Sequence, residues 1–140
     1  MLSSPEILRQ TQFAEVSSAA NTTSTTFVDL FSLSITINQG SYLIISFTSS
    51  GYPTAGSPNG LTYQLVLDGT PIRGCSAGAG SGAQNAIGLY GKLTWKSSSL
   101  SAGSHTVLIQ WRGDSGSGNI RIDPSNDDEF AFLVVQEVSN

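Results

Sequence analysis

The residue types that most often carry out nucleophilic catalysis are scarce in this sequence. Catalysis by serine or cysteine needs a neighbouring base, usually histidine, and His105 is the one histidine in the chain. It follows Ala-Gly-Ser at the start of an apolar segment, so we interpret it as a surface or strand-edge histidine. Cys75 lies in a tract of glycine, alanine and serine without the motif of an activated thiol. We therefore predict no catalytic residues and no enzymatic activity.

Two glycine-rich runs have the composition of phosphate-binding loops: G-A-G-S-G at residues 78–82 and G-D-S-G-S-G at residues 113–118. A phosphate-binding loop normally lies between a strand and a helix and usually contains a lysine. Neither run is followed by a helical pattern, so we interpret both as loops between strands.

Acidic residues cluster ahead of the last apolar segment, at Asp123, Asp127, Asp128 and Glu129. Calcium takes several oxygen ligands from one loop, but the spacing of these residues matches no calcium-binding loop. We interpret the segment as a solvated loop whose charges protect a sheet edge. We predict no metal site and no cofactor.

Aromatic side chains are the candidates for stacking on a sugar. Trp111 is in phase with Val107 and Ile109, and Trp95 is in phase with Leu93, so we expect both tryptophans in the core. Tyr52 lies in a segment with loop composition, residues 49–60. It is the candidate ligand-stacking residue, and carbohydrate is the small-molecule partner that it indicates. Two of the ten acids could also pair as in a glycosidase, which the sequence neither supports nor excludes.

The elements that would position these residues follow a period of two. Leu33, Ile35 and Ile37 alternate with serine and threonine, which predicts a half-buried strand. Residues 42–47 are apolar on both faces, which predicts a central strand that is covered on both sides, and Asp68-Gly69 predicts a hairpin turn. We count eight or nine short strands and no helical period, the pattern of a sandwich or barrel. Trp111 and Phe132 are expected to be buried, because each is in phase with apolar neighbours.

The chain has the length of one domain, 140 residues, which we divide into an N-terminal arm at residues 1–8 and a single domain at residues 9–140. Apolar residues in the arm do not follow the strand period, and Pro5 restricts the residue before it to extended conformations. We expect Leu2, Ile7 and Leu8 to contact a neighbouring subunit or another protein surface.

Composition narrows the classes of partner. Charged residues make up 11% of the chain, against about 25% in typical soluble proteins, a composition that suits packed subunit faces. The six basic residues are scattered, so we predict no nucleic-acid binding. No apolar run is long enough for a membrane span, and the N-terminus lacks the pattern of a signal peptide. The single cysteine excludes an intrachain disulfide and fits synthesis in a reducing cytoplasm.

Several phrases resemble those of phage and prophage virion proteins. They are STTFVDLFSLSITI (residues 24–37), LVLDGT (65–70), LSAGSHTVLIQW (100–111) and the closing IRIDPSNDDEFAFLVVQEV (120–138). Modules with such phrases occur in head-decoration proteins, head fibres and tail-fibre tips, and their folds are similar to tumour-necrosis-factor-like jelly rolls, often trimeric. The resemblance implies an all-β, antiparallel β-sandwich of jelly-roll type with about eight strands. It implies no catalytic residues.

The expected function is that of a virion structural protein, made in the host cytoplasm. The resemblance favours a capsid-decoration subunit, a homotrimer that binds and stabilises the capsid surface, since the short arm departs from a tail fibre. The alternative is a receptor- or carbohydrate-binding tip of a phage fibre, and a hydrolase on the same scaffold is a third class. The host, the virion part and the number of copies stay open.

Overall fold

The computed structural model describes residues 5–38, 40–55, 60–78, 89–114, 119–126 and 128–139, and within these ranges it contains strands and no helix. There are ten strands: β1 (Leu8–Glu15), β2 (Ala20–Thr22), β3 (Val28–Ile37), β4 (Ser41–Ala55), β5 (Gly60–Leu67), β6 (Thr70–Gly78), β7 (Leu89–Lys96), β8 (Gly103–Gly113), β9 (Asn119–Ile122) and β10 (Phe130–Ser139). Accordingly, the described residues contain no helix that is long and apolar enough to cross a membrane.

The strands form two antiparallel sheets that pack as a sandwich. The six-stranded sheet has the order β1-β10-β4-β9-β2, with β7 also paired to β4, and the four-stranded sheet has the order β3-β8-β5-β6. Strand β4 is long enough to pair with β10 and β7 through its first part and with β9 through its last residues. The predicted all-β sandwich is confirmed, with ten strands instead of about eight.

The core lies between the two sheets and is filled by every second residue of the strands. In β4, Leu43, Ile45 and Phe47 are fully buried. Across the interface the ring of Phe47 meets the ring of Tyr63 edge-on, with centroids 4.9 Å apart. The central position predicted for residues 42–47 is confirmed, since β4 has neighbours on both sides. The cover expected over both of its faces is not found within the described chain, where Ile44 and Ser46 are half-buried.

The Asp68-Gly69 turn is formed as the sequence predicts. Both residues have positive φ, 49° and 80°, which is the geometry of a two-residue hairpin turn between right-twisted strands. Asp68 tolerates this conformation better than most residues with a side chain, and Gly69 adopts it freely.

Three sequence-based assignments differ from the structure. Residues 19–24 have a composition that favours a turn, but they contain β2, whose three residues pair with β9. Residues 49–55, expected to begin a long loop, continue β4. In both places pairing with β9 outweighs a local composition that favours turns. Phe132, expected in the core, is 36% exposed, whereas Trp111 is 2% exposed as predicted.

Candidate interaction face

The side of the six-stranded sheet that is turned away from the core carries the most unusual surface of the described molecule. We call it the outer face; it is formed by β1, β10, β4 and β7. Paired residues in a β-ladder point to the same side of the sheet, so the register arranges the side chains in rows. One row contains Glu15, Phe132, Thr48 and Lys92, and the next contains Phe13, Val134, Ser46 and Thr94.

Aromatic rings stand exposed on this face. Phe13 is 69% exposed and stacks on Phe132, with ring centroids 6.0 Å apart and an interplanar angle of 28°. Phe130 is 39% exposed and Tyr90 63%. Both pair with Ser50 and so occupy a further row of the same face. Contiguous exposed apolar surface of this kind marks interaction sites in soluble proteins.

Within the first row, charge is confined to the two ends. Glu15 lies on the edge strand β1 and Lys92 on β7, and neither side chain forms an ion pair with another described residue. Between them lie Phe132 and Thr48, which carry no charge. This row therefore has an acidic end, a centre without charge, and a basic end.

The residues that precede β1 contact the outer face at the end where Tyr42 and Lys96 lie. The Lys96 ammonium lies 3.8 Å from the centroid of the Tyr42 ring and 3.5 Å from Glu6 Oε1. The Tyr42 hydroxyl and the Lys96 charge lower the pKa of Glu6 below its ordinary value. Residues 5–7 thus lie against the sheet, and Lys96 already has a partner there.

Of the three arm residues expected to make contacts, Ile7 and Leu8 lie at the edge of the six-stranded sheet. Leu2 lies outside the described residues. The Ile7 amide donates to Ser139 Oγ over 3.2 Å, and the Ser139 amide donates to the Ile7 carbonyl over 2.9 Å. Leu8 is the first residue of β1 and pairs with Val138. The side chains of Ile7 and Leu8 are 55% and 54% exposed, and their contact with another subunit stays a prediction.

Tyr52 lies in β4, not in a loop, and its hydroxyl donates a hydrogen bond of 2.8 Å to Asp128. This hydrogen bond and the partial burial of the ring raise the pKa of Tyr52 to about 12. The ring is half-buried and lies beyond Ser50, at the end of the outer face where Tyr90 and Phe130 are exposed.

Within the acidic segment Asp128 is exposed, as its composition predicts, but Glu129 is 4% exposed and departs from a solvated loop. Its carboxylate accepts hydrogen bonds from Arg121 Nε over 3.1 Å, from the Asp123 amide over 2.8 Å and from Asn126 Nδ2 over 2.9 Å. Asp127 lies outside the described residues. No group of three potential metal ligands occurs in the described part of the chain. Glu129 therefore holds the β9–β10 turn together.

His105 is buried in β8, not placed at the surface or at a strand edge. Its Nδ1 atom lies 2.7 Å from Asp68 Oδ2 and its Nε2 atom 2.8 Å from the Ser101 carbonyl. Cys75 is half-buried in β6, and burial raises the pKa of its thiol. That shift is opposite to the one that activates a nucleophilic cysteine. Of the two glycine runs, Gly78 and Gly113 end strands, and the others lie outside the described residues.

Two features of the site were missed by reasoning from sequence. The exposure of Phe132 was missed because both phases of β10 are apolar, and the phase of Ala131, Leu133 and Val135 is the buried one. Phe13 gave a signal, since it is an isolated large aromatic between glutamine and alanine in a polar strand.

Comparison with known proteins shows the fold of the chain and nothing finer. No protein-family model matches the sequence, and no curated protein matches it either. Among solved structures, it is similar to latent PorU from Porphyromonas gingivalis, at 10% identity and a TM-score of 0.51, over 91% of this chain and 13% of PorU. It therefore spans only a small part of that protein.

Two other solved structures have TM-scores below 0.5. The Eiger TNF of S. frugiperda has 12% identity and a TM-score of 0.48, over 90% of this chain and 92% of that one. The VP2 subviral particle of infectious bursal disease virus has 16% identity and a TM-score of 0.46, over 94% of this chain and 37% of VP2. The antiparallel β-sandwich itself is shown by the strand pairing of this chain.

Proposed function

We propose that this chain is a non-catalytic structural subunit of a virion, and that its outer face is an assembly contact. The observation that carries the proposal is the exposed Phe13–Phe132 stack on a sheet face without charge at its centre. Leaving two phenyl rings in water costs free energy that a protein partner would recover. The low fraction of charged residues, 11%, supports the same role.

The finer assignment rests on the sequence resemblance. Phrases such as STTFVDLFSLSITI are similar to those of phage head-decoration modules, which implies a capsid lattice as the partner and three copies as the unit. Such a subunit acts as cement: each contact is weak, and symmetry multiplies the contacts over the particle. The protein would then be found in the virion after synthesis in the host cytoplasm.

The direct test is to locate the chain in purified particles and to measure its rebinding. Particles stripped of the protein are mixed with wild-type protein, with Phe13→Ser or with Arg73→Ser, and sedimented. We expect wild-type protein and Arg73→Ser to cosediment, because Arg73 lies on β6 of the other sheet. We expect Phe13→Ser to stay in the supernatant. Absence of the chain from particles, or equal binding of all three proteins, would contradict the proposal.

A second candidate function is supported by the cluster at one end of the outer face. Tyr52, Tyr90 and Phe130 present aromatic rings together, and the hydroxyl of Tyr52 is fixed by Asp128. Sugars stack on such rings, which agrees with a carbohydrate-binding fibre tip. A glycan array separates the two functions: a hit that Tyr90→Ala abolishes and Phe13→Ala preserves would favour the tip.

A further inference from the structure

In the two rows described above, the uncharged side chains are large on one half of the outer face and small on the other. On β1 and β10 the two rows carry Phe13, Phe132 and Val134. At the equivalent positions on β4 and β7 they carry Thr48, Ser46 and Thr94. Within these two rows the β1–β10 half therefore protrudes and the β4–β7 half offers hydroxyl groups, while the exposed Tyr90 ring of β7 lies in the row beyond. A surface divided in this way is complementary to itself.

We propose that the outer face binds the outer face of a second copy of this chain, about a two-fold axis that runs along the strands between β10 and β4. This inference rests on the proposed structural function and names the partner of the assembly contact. A two-fold contact brings the same patch of both subunits together, so residue i meets j and j meets i. About this axis, β1 of one copy covers β7 of the other, and β10 covers β4. Phe132 then lies over Thr48 of the second copy, and Phe13 lies over Thr94.

The positions of Glu15 and Lys92 favour the same two-fold axis. Glu15 and Lys92 lie at opposite ends of one row, three strand spacings or roughly 14 Å apart. The proposed axis places Glu15 of each copy over Lys92 of the other, which makes two ion pairs at the rim of the apolar contact. An axis across the strands would instead place β1 over β1 and β7 over β7, so that Glu15 would not face Lys92. Complementary charge at a rim sets the orientation of a contact more than its affinity.

The contact buries the outer face of both copies, so no third copy can bind there. It therefore produces pairs, and the trimer that the resemblance implies would need a second surface. The proposal predicts that the assembly has a mass that is an even multiple of 14.6 kDa. An assembly with an odd number of copies, such as a free trimer, would overturn the two-fold arrangement.

Charge reversal tests the arrangement in the full-length protein. Glu15→Lys and Lys92→Glu each convert both ion pairs into repulsive pairs, so the dissociation constant from sedimentation equilibrium should rise by about tenfold. The double variant Glu15→Lys/Lys92→Glu restores both pairs with the charges exchanged, and we expect it to associate like wild type. Arg73→Glu, on the other sheet, is the control and should change nothing. Circular dichroism establishes that each variant is folded.

Crosslinking tests the register independently of charge. In a Cys75→Ser background, Phe132→Cys protein and Thr48→Cys protein are prepared separately and mixed under oxidation. A disulfide-linked heterodimer that forms in the mixture faster than either homodimer forms alone supports the proposed register. Three results overturn the inference: monomeric wild-type protein at 100 µM, a double charge variant as weak as the single variants, or crosslinking that shows no preference for the mixture. None of these results changes the outcome expected in the particle-binding test. If Phe13→Ser still failed to bind particles, the outer face would contact a partner other than a second copy.

Discussion

The Nδ1 atom of His105 lies 2.7 Å from Asp68 Oδ2, and its Nε2 atom lies 2.8 Å from the Ser101 carbonyl oxygen. A carboxylate and a carbonyl only accept hydrogen bonds, so this geometry favours the protonated ring, in which both nitrogens donate. Asp68 also accepts from the Thr106 amide over 2.8 Å. His105, in β8, thus links the β5–β6 turn, through Asp68, to the segment that precedes β8, through Ser101.

This arrangement predicts a specific dependence of stability on pH. The hydrogen bond to Asp68 raises the pKa of His105 above its ordinary value of 6.5. Burial alone would raise the pKa of Asp68, but the hydrogen bonds from His105 and Thr106 lower it below 3.8. The contribution of His105 is complete below pH 6.5 and is lost as the pH rises through its raised pKa. The contribution of Asp68 is present above pH 3.8 and is lost as the pH falls through its lowered pKa.

We therefore expect the pair to stabilise the fold most between about pH 4 and pH 6.5. Urea unfolding of wild-type protein should show a loss of stability as the pH rises above 6.5 that His105→Gln lacks. Because the chain has one histidine, its imidazole NMR signal can be titrated without ambiguity. A midpoint at or below 6.5, or a parallel pH profile for His105→Gln, would show that the ring is not held as a cation.

Alanine substitution should separate Trp111 from Phe132. Trp111 is 2% exposed in the core, so Trp111→Ala should reduce the free energy of unfolding by about 3–5 kcal/mol. Phe132 is 36% exposed and touches Phe13, so Phe132→Ala should cost less than about 1 kcal/mol in the isolated subunit. Denaturant unfolding at low protein concentration measures both. Equal losses would mean that Phe132 is buried in the subunit itself.

Gly91 should not accept a side chain. A Cβ atom there would lie 2.6 Å from the buried Tyr63 ring and 2.9 Å from Ser49 Oγ. Neither neighbour is the far end of a flexible chain, so Gly91→Ala should destabilise the fold by about 1–3 kcal/mol through overpacking. Gly113→Ala is the matched control, because its nearest neighbours would be at ordinary contact distances of 3.6 Å and 3.7 Å. Similar melting temperatures for the two variants would refute the close approach of Tyr63.

Removal of Arg121 should leave a buried carboxylate without a cation. The Glu129 side chain is 3% exposed, and that of Arg121 is 35% exposed. Solvent screens part of the interaction, so we expect Arg121→Met to cost about 2–3 kcal/mol, below the usual cost of breaking a fully buried pair. In a double-mutant cycle with Glu129→Gln, the second change should cost much less in the absence of Arg121 than in its presence. Additive losses would mean that the pair is not coupled.

The features that could be predicted from sequence are those with one clear periodicity. Leu33, Ile35 and Ile37 alternate with hydroxyl residues, and their burial follows directly. Asp68-Gly69 has one favoured turn geometry, and the structure adopts it. Strand β10 has apolar residues in both phases, so periodicity could identify the strand but not the face of it that is buried.

The rest depends on partners that are distant in sequence. Tyr52 has loop-like neighbours, and only the pairing of its strand with β9 makes it part of β4. His105 meets Asp68 through the adjacency of β8 and the β5–β6 turn, which composition does not reveal. The outer face is assembled from β1, β10, β4 and β7, so no local window of sequence contains it.

The pairing of β1 with β10 has a consequence for synthesis on the ribosome. Strand β10 forms hydrogen bonds with β1 on one side and with β4 on the other. The edges of β1 and β4 that face β10 therefore stay unpaired until β10 has left the exit tunnel. Contacts between such distant segments form slowly, and unpaired edges invite association between nascent chains. A chain that stalls before residue 130 would lack the strand that joins β1 to β4. The nascent domain therefore exposes these strand edges from the synthesis of β1 until β10 emerges.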